Sequence, residues 1–158
     1  MPFVVILMGS RSDLPFVQKI TAALDKFDIR HECRVASAHK SARHLLDLLD
    51  KYESSGEVGV YVTVAGRSNA LSGLVDANVS APVIACPPYA ETFGGADVYS
   101  SLRMPSGVAP AVVLEPQNAA LLAAKILGLA DPGLRARVAE EQEKQRQRLL
   151  EADAALQG

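Results

Sequence analysis

The opening run Phe3-Val4-Val5-Ile6-Leu7-Met8, halted by Gly9-Ser10, constrains the fold more than any other stretch of the chain. It does not alternate apolar with polar residues, so it is not a strand with one wet face. It is too short for a useful helix. An unbroken β-branched run of this length is expected of a strand covered on both faces, as in parallel sheets with helices above and below.

The rest of the chain repeats that logic. After the break Gly9-Ser10-Arg11-Ser12-Asp13, the stripe Phe16, Ile20, Leu24 and Phe27 predicts a helix, with Asp13 as a candidate N-cap and Pro15 in its first turn. Residues 30–35 read as a second strand, more polar and so nearer an edge, followed by Ala36-Ser37-Ala38-His39-Lys40. Ser41 can cap a helix whose stripe is Ala42, Leu45, Leu46, Leu49 and Tyr52. A third strand over 58–64 leads through Ala65-Gly66-Arg67-Ser68-Asn69 into a helix over about 70–79. A fourth strand over 82–86 precedes an irregular stretch over 87–96 and a short helix near 97–102. After Met104-Pro105-Ser106-Gly107 come a fifth strand over 109–114 and an alanine- and leucine-rich helix over 117–129. Parallel strands need crossover helices, and right-handed crossovers place them on both faces. The expected architecture is a three-layer α/β/α sandwich around a five-stranded parallel sheet, flavodoxin-like in outline.

A length of 158 residues suits one domain, here a sandwich core over about 3–129 and a helical arm over about 133–157. The arm is strongly helical by propensity but mostly polar, with a thin stripe of Leu134, Val138, Leu149 and Leu156. It reads either as a solvated tail or as an arm packed on another subunit, and the second is favoured because such a helix is marginal alone. A formal net charge of -2 argues against a general nucleic-acid binder but leaves room for one phosphate-bearing ligand. Cys33 and Cys86 form no CxxC pattern, which argues against a zinc site or a disulfide framework. The first residues lack a basic n-region, and their apolar run is too short for a signal peptide or a span. A soluble protein in a reducing cytoplasm is expected.

In open α/β sheets, ligands bind beyond the carboxyl ends of the strands. The loops predicted there carry more chemistry than a cap and a turn require. Gly9 permits close backbone approach, and Ser10 and Ser12 add hydroxyls beside a helix start, so a phosphate fits. Asp13 would repel phosphate but could accept from ribose hydroxyls, or act only as the cap. Of the three histidines, His31 lies early in its strand and His44 lies off its helix's apolar stripe. His39 alone falls in a strand-end loop, with Ser37 and Lys40 beside it. An unperturbed pKa of about 6.5 suits it to proton transfer at neutral pH. Lys40 is either a solvated charge or a phosphate partner. Arg67, Ser68 and Asn69 precede a helix, where converging donors would suit an oxyanion or carboxylate, or form a plain capping loop. Cys86 has no base beside it and reads as a buried structural thiol, and Arg103 either holds an anion or faces solvent.

Gly9-Ser10-Arg11-Ser12-Asp13, Ser37-Ala38-His39-Lys40 and Met104-Pro105-Ser106-Gly107 together resemble the aminoimidazole ribonucleotide carboxylase and mutase family, in the same order from about Phe3 to Leu129. One branch of that family rearranges an N5-carboxylated ribonucleotide and looks to carry a second histidine in its third loop. This chain has Arg67-Ser68-Asn69-Ala70-Leu71 there, with alanine at the histidine position and Lys40 where the mutases carry arginine. Those features, with Ala85-Cys86-Pro87-Pro88 and the run Phe93 to Arg103, resemble the branch that uses carbon dioxide directly. The resemblance implies carboxylation of 5-aminoimidazole ribonucleotide without ATP, biotin or metal, hence no cofactor. It implies His39 as the base, with Ser10, Asp13, Ser37 and Lys40 for the ribose phosphate and Gly9, Ser12 and Ala38 as further substrate-binding residues. Gly66, Arg67, Ser68 and Asn69 would line the reacting end, with Leu71 a further substrate-binding residue. It further implies a homo-oligomer, commonly an octamer, with sites at subunit contacts. The competing readings are the mutase, a flavodoxin-like nucleotide or flavin binder, and a purely structural oligomer. The last leaves the polar strand-end loops without a reason, and the chain has no tryptophan to stack on a flavin.

Overall fold

The computed structural model describes residues 2–157. Five strands form one sheet: β1 (Phe3–Met8), β2 (His31–Val35), β3 (Val58–Val64), β4 (Val83–Ala85) and β5 (Ala111–Val112). Their order is β2-β1-β3-β4-β5, and every neighbouring pair is parallel. The flavodoxin-like α/β architecture is therefore present as expected.

All six residues of β1 are buried, because the sheet is covered on both faces. Successive strand side chains point to opposite faces. Val4, Ile6 and Met8 thus join the core beneath α1 (Leu14–Asp25) and α5 (Pro116–Leu127). Phe3, Val5 and Leu7 join the core beneath α2 (Ala42–Ser55) and α3 (Ala70–Asp76). On the first face, Ala119, Ala120, Ala123 and Ala124 are all fully buried, and such small side chains let α5 lie close to α1 and the sheet. On the second, the Tyr61 hydroxyl donates to Glu53 at 3.1 Å, and Glu53 also accepts from the Ser80 backbone N–H and hydroxyl at 2.9 and 2.8 Å. That network stitches α2 to β3 and to the turn that enters β4.

Several local expectations shift. α1 buries Val17, Ile20, Ala23 and Leu24, and leaves Phe16 half-buried. α2 buries Leu45, Leu48 and Leu49 while Leu46 faces out, since one residue further along a helix turns the side chain by about 100°. Asp13 makes no capping bond, because the chain already turns at Arg11–Asp13, and Ser10 accepts the Ser12 N–H instead. Ser41 likewise makes no side-chain cap at α2, and its hydroxyl oxygen takes the Ser37 N–H at 2.9 Å. β5 is two residues long rather than six, shortened at one end by Pro110, which has no N–H to give a ladder.

The chain between β4 and β5 includes a short helix α4 (Tyr99–Leu102), entered through Gly94 and Gly95, both at positive φ. At Gly95 the φ of +80° favours glycine, and an added Cβ would stand 2.9 Å from the Tyr89 ring and push it aside. α6 (Pro132–Leu156) is capped by Asp131, which accepts the Leu134 N–H at 3.0 Å. It starts just before the expected arm and buries only Leu134 and Val138, on the α1/α5 face. Its far end exposes Leu149, Leu150 and Leu156. No helix among the described residues is long and apolar enough to cross a membrane.

Leu24 is fully buried between α1 and the sheet. Leu24→Ala should lower unfolding free energy by about 2–5 kcal/mol, the range for a buried leucine truncated to alanine. Urea denaturation with an unchanged m-value checks it.

Candidate active site

The strand order places the site. The chain leaves β1 towards β2 on one side and reaches β3 on the other, so the loops after β1 and β3 diverge and open a crevice at their carboxyl ends. Backbone bonds hold the floor of that crevice. Gly9 donates to Val64 O at 2.9 Å, and Ala36 donates to Met8 O at 2.9 Å. A Cβ on Gly9 would sit 3.6 Å from the Ala65 Cβ, and one on Gly66 would sit 3.7 Å from Pro88 O. The loops after β1, β3 and β4 therefore touch, and the loop after β2 adjoins the first.

In the loop after β1, the Ser12 N–H and hydroxyl both donate to Ser10 Oγ, at 3.3 and 2.8 Å. Both serines are exposed, so this pairing is available to a ligand. Asp13 stands half-buried behind them, and burial raises its carboxyl above the ordinary range, offset in part by the Ser10 backbone N–H. In the loop after β2, the Lys40 N–H donates to Ser37 Oγ at 3.2 Å, and Ser41 bonds back to Ser37 O through its N–H at 2.9 Å and its hydroxyl at 3.3 Å. Those bonds make a tight turn over 37–41 that leaves the side chains of His39 and Lys40 exposed and without a hydrogen-bond partner among the described residues. Ala38 is half-buried and packs on the α2/α3 core.

The loop after β3 is held differently. Arg67 adopts φ +61°, a left-handed conformation rare for a residue with a side chain. Its N–H donates to Asp97 Oδ2 at 2.9 Å. The Asn69 N–H donates to Ser100 Oγ at 2.9 Å, and Ser100 Oγ–H donates in turn to Asp97 O at 2.7 Å. Asn69 is only 3% exposed: its Oδ1 accepts the Ser72 N–H at 3.1 Å and its Nδ2 donates to Ser101 Oγ at 2.9 Å. The side chain of Asn69 is thus spent inside the protein, capping α3 and gripping α4. Leu71 is buried in the core of the second face. Arg67 and Ser68 keep exposed side chains. Gly66, Arg67 and Ser68 therefore line the crevice, while Asn69 and Leu71 lie behind it.

Sequence reasoning gave no task to Asp97, Ser100 or Ser101. The bonds they make join residues about thirty positions apart, and only Gly94-Gly95 ahead of a short helix hints that the chain doubles back. Met104 packs its sulfur on Gly73 of α3, and the Ala109 N–H donates to Asp76 Oδ2 at 2.7 Å, which ties the Met104-Pro105-Ser106-Gly107 loop to the same helix.

The other candidates separate cleanly. His31 sits at the amino end of β2, its ring Nδ1 3.1 Å from Ile29 O, far from the strand ends that form the crevice. His44 is solvent-exposed on α2. Cys86 is fully buried beneath the Leu114 carbonyl, and burial, then Glu115, pushes its thiol up to about 12, so it carries no thiolate at neutral pH. A cleft of about 1040 Å³ opens at the opposite end of the sheet, among Pro2, Arg30, Glu57, Asp131 and Arg137. Most of its charged groups are already engaged: Arg30 with Glu57 at 3.2 Å, Arg137 with Phe27 O at 3.0 Å, and Asp131 with the start of α6. Size alone does not make it the site.

Residues 3–148 match the family described as AIR carboxylase. The chain is 55% identical over 152 residues to the phosphoribosylaminoimidazole carboxylase of Archaeoglobus fulgidus, covering 96% of this chain and 83% of that one. It is 50% identical over 155 residues to the phosphoribosylaminoimidazole carboxylase of Treponema denticola, covering 98% of each. It superposes on the crystal structure of Treponema denticola PurE with a TM-score of 0.97 and 49% identity, covering the whole of both chains.

The raised Asp13 carboxyl has a consequence for stability. A group whose folded pKa exceeds its unfolded value stabilises the fold at low pH and loses that contribution as pH rises through the folded pKa. Asp13→Asn should therefore be more stable than the parent at pH 7, and the difference should vanish below the ordinary carboxylate value of 3.8. Thermal melts across that range check it.

Proposed function

This chain belongs to the AIR carboxylase family, and from that premise we propose that it carboxylates C4 of 5-aminoimidazole ribonucleotide using dissolved carbon dioxide directly. It is an ATP-independent carboxy-lyase of purine biosynthesis. The observation that carries the finer reading is the third loop, where Arg67-Ser68 lines the crevice and no histidine stands at Ala70. A single exposed imidazole, His39, is then left for proton transfer at the strand ends.

The aminoimidazole ring is enamine-like, so its C4 attacks the carbon of carbon dioxide. The new C–C bond forms as one C=O π pair moves onto oxygen. The intermediate then loses its C4 proton to His39, and aromaticity returns. In reverse, His39 delivers that proton. General base catalysis supplies about 10²–10⁴-fold. The remainder falls to the loops, which position carbon dioxide over C4 and stabilise the forming carboxylate. Ser10, Ser12, Asp13, Ser37, Ala38 and Lys40 hold the ribose phosphate, with Gly9 permitting its close approach. Gly66, Arg67 and Ser68 meet the reacting end. Asn69 and Leu71 contribute through the loop they anchor rather than by side-chain contact, in keeping with their burial.

The site is completed by neighbouring copies of the chain, in a cytoplasmic homo-oligomer, an octamer by resemblance. Exposed apolar side chains support assembly: Tyr89, Phe93, Tyr99 and Leu102 follow β4, and Leu149, Leu150 and Leu156 end α6. A dry subunit contact would also hold carbon dioxide, which offers little to bind, away from bulk water.

Purified protein should convert 5-aminoimidazole ribonucleotide without ATP, at a rate that rises with dissolved carbon dioxide, followed by product absorbance. Conversion of only the N5-carboxylated isomer would overturn this reading in favour of the mutase. His39→Asn should cut kcat by about 10²–10⁴-fold while nucleotide binding stays near the parent value. Weak binding with normal turnover would remove His39 from the base role.

A further inference from the structure

We propose that Asp97 is a positioning residue for this reaction, acting through the backbone of Arg67 rather than on substrate. The inference rests on the reading above that the loop after β3 meets the reacting end.

The loop has an unusual demand. Arg67 is one of two non-glycine residues at positive φ among the described residues. A side-chain-bearing residue stays there only where its surroundings over-determine the backbone, and such positions cluster at functional sites. Glycine would satisfy the turn without strain, so the chain keeps arginine for what its side chain does. Something must then hold the turn.

Asp97 and Ser100 do so, and they hold alternate peptide groups. The Arg67 N–H goes to the Asp97 carboxylate at 2.9 Å, and the Asn69 N–H goes to Ser100 Oγ at 2.9 Å. Ser100 is itself fixed by donating to Asp97 O at 2.7 Å, so one short stretch of chain sets both anchors. The N–H groups of Gly66 and Ser68, between and before the anchored ones, have no partner among the described residues. Tying back two peptides thus leaves the Gly66 and Ser68 N–H groups, with the Arg67 and Ser68 side chains, free to face an oxyanion. A carboxylate acceptor suits the task because hydrogen bonds to a charged acceptor are roughly twice as strong as neutral ones. Loss of the anchor lets Arg67 relax towards ordinary φ and turns these donors away. The ribose phosphate lies on loops that Asp97 does not touch, so binding of the ribonucleotide is largely spared.

The test compares the parent with Asp97→Ala and Asp97→Asn. Three quantities are read: kcat and KM for the ribonucleotide, the midpoint of thermal unfolding, and amide hydrogen exchange over 66–69 in the free protein. Asp97→Ala should lower kcat roughly ten- to hundredfold, the range for one charge-assisted hydrogen bond, with KM within about threefold. Exchange at the Arg67 amide should accelerate. Asp97→Asn keeps an acceptor oxygen and should recover most of kcat. Should Asp97→Ala not fold, Ser100→Ala removes the second anchor and must show the same kcat-selective loss. Unchanged kcat in Asp97→Ala, or a loss in KM alone, overturns the proposal. So does a kcat loss that Asp97→Asn does not recover and that leaves Arg67 exchange unaltered. A parent that converts only the N5-carboxylated isomer defeats the carboxylase reading but not this one. The same comparison is then made on that isomer.

Discussion

Everything in this molecule hangs on the parallel pairing of β1 with β3. β1 is buried along its whole length, the two strands are matched from Phe3↔Val58 to Met8↔Val64, and the chain leaves them in opposite directions. The crevice at their carboxyl ends is the geometric result of that divergence. The Gly9 to Val64 bond extends the ladder one step past β1 and so fixes the distance between the two loops that open there.

Around this axis the site divides its labour between two kinds of loop. The loops after β1 and β2 are closed by their own residues: Ser12 on Ser10, Lys40 and Ser41 on Ser37. Such local turns form wherever the strand ends place them, and they suit a fixed anion such as a phosphate. The loop after β3 is not self-sufficient. It is strained at Arg67 and is held by Asp97, Ser100 and Ser101 from a distant stretch. A reacting carboxylate changes charge and shape during turnover, and its surroundings must be set beforehand rather than adjust. In the proposed reaction the long-range tether is the means of that preorganisation.

The periphery leaves apolar surface uncovered, which supports the proposed assembly. α6 buries only its first turns, and the segment after β4 leaves aromatic side chains in solvent. In the large cleft at the amino ends of the strands most charged side chains are already engaged, Arg30 with Glu57 and Arg137 with the Phe27 carbonyl among them, which is why chemistry and not volume identifies the site.

The sequence by itself determined the sheet, the strand ends and the loops that carry chemistry. Those follow from local rules: apolar runs for covered strands, periodic stripes for helices, and a glycine or serine break where each strand stops. The same rules isolated His39 from His31 and His44, since position along a strand is a local property. The tertiary structure alone decided which residues of the third loop are exposed. Asn69 looked like a donor for a ligand, yet its amide is consumed by Ser72 and Ser101, and the cap expected of Asp13 passed to Ser10. It alone revealed Asp97, because a hydrogen bond across thirty residues of chain leaves no periodicity, spacing or composition to read. What is encoded by neighbours is legible in the sequence, and what is encoded by contact between distant segments exists only after the chain has folded.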